Sequence, residues 1–315
     1  MIRTCLNNGS SIKLVADITA VVDFDGSQFE KIEKNGNCTY KYYQDVPYLL
    51  AIKIDFPEKE VVIEFTGKIL GSDYPKLISL STIRQCFQAI NSTGIVTLDV
   101  EVMMDADVVK CDVTKDIHSD DVPKLANYVR QHISNYQKYI CRKLRNNNLV
   151  VEKNVVTRKM KKRMTIYDKG KEMQKVENQR FVEAYGLEGA FDGICRFELN
   201  LNSKEQIRNA LGSSNTKLQS VLSSNANPIT DFLDEVIGRT PEPTSMTDKK
   251  SYVTMLVLKD CDYDLEKVEA KMRQFYTSRG TNINVIMQPY RQMMEQMNSA
   301  AETNYWNDVR SKLLG

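Results

Sequence analysis

The sequence predicts an α+β protein: a mainly antiparallel sheet with helices on one face, followed by a helical C-terminal region. Three observations carry this expectation. β-Branched and aliphatic runs separated by turn clusters dominate the chain up to residue 201. Between 107 and 201 the order is strand, helix, strand, strand, helix, strand, which suits antiparallel pairing with helices packed on one side. From residue 214 onward the strand signal stops and helical patterns take over.

Taken in order, SIKLVADITAVVDF (11–24), PYLLAIKIDF (47–56), EVVIEFTGKIL (60–70) and GIVTLDVEVMM (94–104) read as strands. EKNGN (33–37) and FPEKE (56–60) supply turns. LSTIRQCFQAIN (80–91) reads as a short helix that Ser81 or Thr82 can cap. A strand follows at 107–117. A long helix is then expected over 122–147, with Val122, Leu125, Val129, Ile133, Tyr136, Ile140 and Leu144 as its apolar stripe. Strands at 149–156 and 163–169 flank the basic run TRKMKKR, a helix covers 171–185, and GICRFELNL (193–201) forms the last strand. SKEQIRNAL opens another helix. The linker RTPEPTSMTDKK (239–250) holds two of the eight prolines. Helical segments follow from Ser251, with Gly280 as a stop signal. The expected domains are 1–212 with a core over 48–212, a helix and linker over 213–250, and a helical domain or arm over 251–315. That last domain is a candidate DNA-binding unit.

Composition narrows the function classes. The chain has 315 residues, 42% hydrophobic and 27% charged, enough to bury a core without disulfide or metal staples. No apolar run approaches the length of a membrane span. Seven scattered cysteines without a CxxC pair argue against a zinc ribbon and for a reducing compartment. The segment MIRTCLNNGSSIK has no basic-then-apolar leader pattern, so a cytoplasmic protein is expected. Only His118 and His132 are available, which excludes sites needing three histidines.

The net charge of +2 conceals an asymmetry. From Asp121 to Lys175 there are fifteen Lys and Arg against four Asp and Glu, so the remainder is net acidic. A basic block of this size points to a polyanion, nucleic acid foremost. Candidate DNA-binding residues are Arg130, Lys138, Arg142, Lys143 and Arg145 on the expected helix. Arg158, Lys159, Lys161, Lys162 and Arg163 supply the run after it, and Arg196 a later strand. The same pattern also describes a solvated helix face with a basic loop.

Strand parity then separates ionisable from apolar positions. Lys110, Asp112, Thr114, Asp116 and His118 share one face of 108–118; Arg196, Glu198, Asn200 and Asn202 share one face of 194–202. Arg163, Thr165, Tyr167 and Lys169 do the same in 163–169. If these strands are neighbours, one open face holds Asp112, Glu198, Tyr167 and Lys169, with Asp116 or His118 close by. Such a set suits a hard divalent cation beside a phenolic nucleophile. Equally, alternation of this kind is what any half-exposed strand shows, and carboxylates beside Arg and Lys form surface ion pairs.

Three motifs in order carry a family resemblance. MTIYDKGKEM (164–173) followed by CRFELNLNSKEQIR (195–208) resembles the "YDKgkE … RfElrl" pair of plasmid and filamentous-phage rolling-circle replication initiators. VVKCDVTKDI (108–117) resembles their upstream "vxRiDvtxD" strand, and VVIEFTGKILGSDYPKLISLSTIRQCFQAI the preceding part of the gene II/X replication proteins. The resemblance spans residues 60–210 and implies a Rep-like nicking domain of the broad His-hydrophobic-His class, in a bacterial cytoplasm. It implies Mg²⁺ or Mn²⁺, a tyrosine that attacks a phosphodiester, and a single-stranded or hairpin origin site. It further implies host helicase and polymerase as partners. By motif, Asp112 and Glu198 become metal-side carboxylates, and Asp168, Lys169 and Glu172 form the YDKgkE site. The upstream strand of many relatives carries a tyrosine; LVVEKNVVTRKMKK does not, and a two-histidine metal motif is also absent. The nucleophile is therefore Tyr167 by face and neighbourhood, with Tyr136 and Tyr139 as alternatives. Two other readings share these features: a DNA-binding initiator without catalysis, and a conjugative or mobilisation relaxase.

Overall fold

Alternation of apolar and polar residues along the strands builds a ten-stranded antiparallel sheet with two unlike faces. The computed structural model describes residues 8–119, 121–131, 139–143, 148–153, 161–237, 249–261, 264–277, 280 and 282–314. In chain order its strands are β1 (Asn8–Asp17), β2 (Val21–Phe24), β3 (Glu30–Lys34), β4 (Asn37–Gln44), β5 (Leu50–Asp55) and β6 (Glu60–Thr66). They continue with β7 (Val96–Leu98), β8 (Asp107–His118), β9 (Tyr139–Lys143), β10 (Leu149–Lys153), β11 (Arg163–Asp168) and β12 (Ile194–Leu201). The large sheet runs β3-β4-β5-β6-β1-β8-β12-β11-β10-β9, and β2 pairs with β7 apart from it. The helices of this part are α1 (Ile83–Ser92), α2 (Val100–Met104), α3 (Val122–Gln131), α4 (Lys169–Met173) and α5 (Val176–Tyr185), then α6 (Lys204–Leu211), α7 (Leu218–Leu222) and α8 (Pro228–Ile237).

The α+β class expected from sequence is the class observed. Ile12, Leu14, Ile52, Ile63, Phe65, Val113, Met164, Ile166, Phe197 and Leu199 point to one face and are buried. On that face Phe87 of α1 meets Phe65 edge-on and Phe232 of α8 meets Tyr139. The opposite face carries polar residues, and one end of it is covered. There the 3-10 segment Gly67–Lys76, α4 and α5 bring Tyr74, Met173, Phe181, Leu187 and Phe191 into a second apolar cluster.

Several elements differ from the sequence reading. The helix expected over 122–147 ends at Gln131, and 139–143 form the edge strand β9 paired with β10. YICRK satisfies both periods. Pairing selects the two-residue period, with Tyr139 buried against α8 and Arg142 on the other face. GIVTLDVEVMM yields only β7 before Asp99 turns the chain, its carboxylate accepting from the amides of Glu101 and Val102 at the start of α2. The single helix expected over 171–185 is two, α4 and α5, the second ended by Gly186 in a left-handed conformation. EKIEK and NCTYKYYQ, on either side of the predicted turn, form the hairpin β3–β4, closed by Asn35 and Gly36 at positive φ.

The chain divides into two units, residues 1–238 with 313–315, and residues 239–312. Residues 213–237, read from sequence as a helix leading into a linker, thus fall in the first unit. The second unit contains α9 (Lys249–Asp260), α10 (Leu265–Phe275) and most of α11 (Ile283–Leu314). Its core gathers Leu258, Cys261, Val268, Met272, Met287 and Met293. Asp264 caps α10, and α10 ends at Phe275, ahead of Gly280. Among the described residues no helix is long and apolar enough to cross a membrane.

Gly71 is required for the segment that covers the polar face. Its φ is +60°, and a Cβ there would lie 2.6 Å from the Tyr185 ring. Gly71→Ala is expected to destabilise the first unit by about 1–2 kcal/mol, read as a lower urea midpoint with unchanged slope.

Candidate functional site on the polar sheet face

Register sorts the polar face into rows that cross the central strands. Tyr167, Arg196 and Asp116 form one row; Arg142, Val150, Thr165, Glu198 and Thr114 form the next. Glu152, Arg163, Asn200 and Asp112 form a third. The face inferred from parity is therefore real: Asp112, Asp116, Glu198 and Tyr167 share it. Asp112 and Glu198 are diagonal neighbours, a relation that separates Cα atoms by roughly 7–8 Å.

Each side chain is held by its neighbours. Arg163 Nε donates to Asn200 Oδ1 at 3.1 Å, and Asn200 Nδ2 donates to Asp112 Oδ1 at 2.6 Å. Tyr167 Oη donates to Glu198 Oε1 at 2.9 Å. Burial pushes the Asp112 carboxyl up to about 6; the Glu198 charge adds to this and the Asn200 hydrogen bond opposes it. Burial, then the Glu198 charge, holds the Tyr167 phenol well above its ordinary value. Tyr167 is thus a protonated donor to a carboxylate.

The covered end is a buried network of charges. Arg196 is 0% exposed; its Nε and Nη2 reach the two oxygens of Asp116 at 2.6 Å each, and Nη1 donates to Tyr74 Oη at 3.0 Å. Burial alone would lower the Arg196 pKa, but Tyr74 and Asp116 reverse this and keep the guanidinium charged. Lys169 is 2% exposed, paired with Glu172 and enclosed by the rings of Tyr74, Tyr167 and Phe191. Asn178 Nδ2 donates to Glu172 Oε1 at 2.8 Å. Burial raises the Glu172 pKa, but Lys169 and the Asn178 hydrogen bond outweigh it and hold the carboxyl below its usual value.

Several sequence assignments change as a result. Arg196 has no surface to offer DNA and is an internal tie. Asp116 is occupied by Arg196. Strand β11 ends at Asp168, so Lys169 opens α4 instead of continuing the strand face, and its partner is Glu172. Asp168 caps α4, accepting from the Lys171 amide at 2.9 Å. His118 is exposed at the end of β8, opposite Ile194. Tyr139 lies on the apolar face against Phe232, with Glu235 beside it, so it is separated from the carboxylates by the sheet itself. Lys162 lies over the Phe232 ring and Lys161 is half-buried, its carbonyl accepting from Asn202. Arg163 and Arg142 are exposed on the polar face, Arg142 paired with Glu152 at 2.7 Å. Arg130 falls on α3 and Lys143 on β9. Tyr136, Lys138, Arg145, Arg158 and Lys159 lie outside the described residues.

Two residues of the site were not singled out from sequence. Asn200 was visible by parity as the residue opposite Asp112. Tyr74 had no local signal, because only the path of residues 67–76 over the sheet brings it to Arg196.

The donor chemistry fits a hard divalent cation. Asp112 and Glu198 are half-buried carboxylates close enough to raise one pKa, a repulsion that a cation or a proton relieves. Mg²⁺ is commonly held by one or two carboxylates, with water and phosphate oxygens completing its shell. Among the described residues no group of three His, Cys, Asp or Glu comes together for a metal. The fold and site define an α+β protein with an open sheet face bearing a carboxylate pair, a tyrosine and an arginine. No family model and no curated protein sequence matches the chain.

Two measurements probe this arrangement. Because the folded-state pKa of Asp112 lies above that of an unfolded Asp, the native state binds the extra proton between pH 4 and 6. Stability should therefore fall as pH rises through that window. Asp112→Asn is expected to flatten the slope and to be more stable than wild type at pH 7, by up to about 2 kcal/mol, in urea titrations across pH. Separately, Asp116→Ala leaves the Arg196 charge buried without its partner and should cost about 3–5 kcal/mol. Asp116→Val with Arg196→Met should recover most of that loss in the same assay.

Proposed function

We propose that this protein is a metal-dependent DNA nicking and joining enzyme that initiates rolling-circle replication of a plasmid, phage or mobile element. The observation that carries this reading is the convergence of Asp112, Glu198, Tyr167 and Arg163 on one face of β8, β12 and β11. Asp112 and Glu198 would hold Mg²⁺ or Mn²⁺, which when bound polarises the scissile phosphate. Arg163, exposed beside them, binds a phosphate oxygen. Tyr167 Oη forms the new bond to phosphorus while its proton passes to Glu198, the oxygen it already contacts. The bond from phosphorus to the 3′-oxygen breaks. The leaving 3′-oxygen takes its proton from solvent to complete the 3′-hydroxyl, since Asp112 is deprotonated when it holds the cation. One proton leaves the phenol and one reaches the leaving oxygen, so the step balances and the product is a 5′-phosphotyrosine.

A second reading is a DNA-binding initiator without catalysis. The burial of Tyr167 and its raised pKa favour it, since a nucleophile must give up its proton.

Supercoiled plasmid carrying the DNA that flanks the coding sequence, incubated with Mg²⁺ or Mn²⁺, separates the two. Nicking with a nucleotide retained on the Tyr167 peptide is expected, together with loss of the adduct in Tyr167→Phe. Glu198→Gln should slow nicking by about 10²- to 10⁴-fold. An adduct on another tyrosine would remove Tyr167 from the mechanism, and binding without nicking would establish the second reading.

A further inference from the structure

The polar face does not stop at the carboxylates. Lys110 is the next residue on this face of β8 after Asp112, and it opens a straight row across the other half of the sheet. Lys110 is opposite Lys13, Lys13 opposite Glu64, Glu64 opposite Ala51 and Ala51 opposite Tyr43. A parallel row runs Val15, Val62, Lys53 and Lys41. Together they floor an open cavity of about 500 Å³ that Lys13, Lys41, Tyr43, Ala51 and Lys53 help to line. From β8 to β4 there are four strand spacings, or roughly 19 Å.

The chemistry of this floor is specific. Tyr43 is 69% exposed, and Ala51 beside it leaves its ring open. Lys41 is exposed and makes no ion pair among the described residues. Of the acids nearby, Glu64 lies between Lys110 at 2.6 Å and Lys13 at 3.1 Å, and Asp55 holds Lys53 at 2.5 Å, while Glu30 of β3, opposite Lys41, also lines the cavity. The Lys110 and Lys13 charges hold the Glu64 carboxyl below its usual pKa against the opposing effect of burial. An exposed aromatic beside lysines on a sheet is the pairing that single-stranded nucleic acid uses, bases on the ring and phosphates on the ammoniums.

We infer that the β1–β6–β5–β4 face is a single-strand track that receives the DNA strand leading away from the Asp112–Glu198 site, with Lys110 and Lys13 at its mouth, Lys41 and Lys53 along it and Tyr43 as a base-stacking platform. The inference rests on the nicking reading above and adds to it a surface outside the catalytic strands.

Fluorescence anisotropy of 5′-labelled oligo-dT of increasing length tests it, with the full chain at low salt and without divalent metal. Wild type should bind longer oligonucleotides more tightly until the track is filled. Lys41→Ala with Tyr43→Ala should weaken binding of the long oligonucleotides at least fivefold and leave the shortest bound ones unchanged. Both side chains are exposed, and an unchanged thermal melt confirms that the variant is folded. If the double variant binds long oligonucleotides like wild type while Arg163→Ala weakens them, the track is elsewhere and the nicking reading stands. If wild type binds none of them, the track is refuted, and nicking of the supercoiled plasmid decides the nicking reading separately.

Discussion

Arg196 is a full positive charge with no exposed surface, and the site depends on how it is held. A buried guanidinium without partners would cost several kcal/mol. The cost is offset by both oxygens of Asp116 on the neighbouring strand and by Tyr74 from a segment more than a hundred residues upstream. One side chain thereby locks β12 to β8 and anchors the 3-10 segment over the sheet. Tyr167 lies next to Arg196 in the same row, and its hydroxyl reaches Glu198 in the next. Losing the tie would loosen the fold and the site together.

The second constraint is the division of the sheet into two faces. Burying Ile63, Phe65, Phe197 and Leu199 beneath helices commits the alternate positions to the other side. Those positions are mostly polar from β9 to β4, with Val150, Val15, Val62 and Ala51 among them, and among the described residues the end near Tyr167 is roofed. The roof excludes water from Tyr167, Lys169 and Arg196, while Asp112, Glu198 and Arg163 stand at its edge. A phosphate approaching from the open side therefore meets the carboxylate pair and Arg163 first. Beyond them the same face continues over β1, β6, β5 and β4, so one unbroken surface joins the proposed chemistry to the proposed track.

The buried phenol sets the chemical question for the proposed enzyme. Tyr167 donates to Glu198 in a setting that raises its pKa, whereas a nucleophile needs the reverse. The same contact that keeps the proton on the phenol also supplies the base that would take it. What changes the balance is charge: a cation or bound phosphate at the carboxylates alters the field that Glu198 exerts on the hydroxyl.

Parity in the sequence placed Asp112, Glu198 and Tyr167 each on the polar side of its strand, and the order β8-β12-β11 brought them to one face. The α+β class followed from the aliphatic runs and the order of elements, and EKNGN marked a turn although the strands β3 and β4 beside it went unread. Tertiary structure decided the rest. YICRK carries apolar residues at both helical and strand spacing, and only the partner strand β10 chose between them. Lys169 looked like a strand residue until the chain turned into α4 after Asp168. Arg196 read as a DNA contact because a sequence records its charge and not its neighbours. Its burial is a property of Asp116 and Tyr74, which long-range folding alone brings to it.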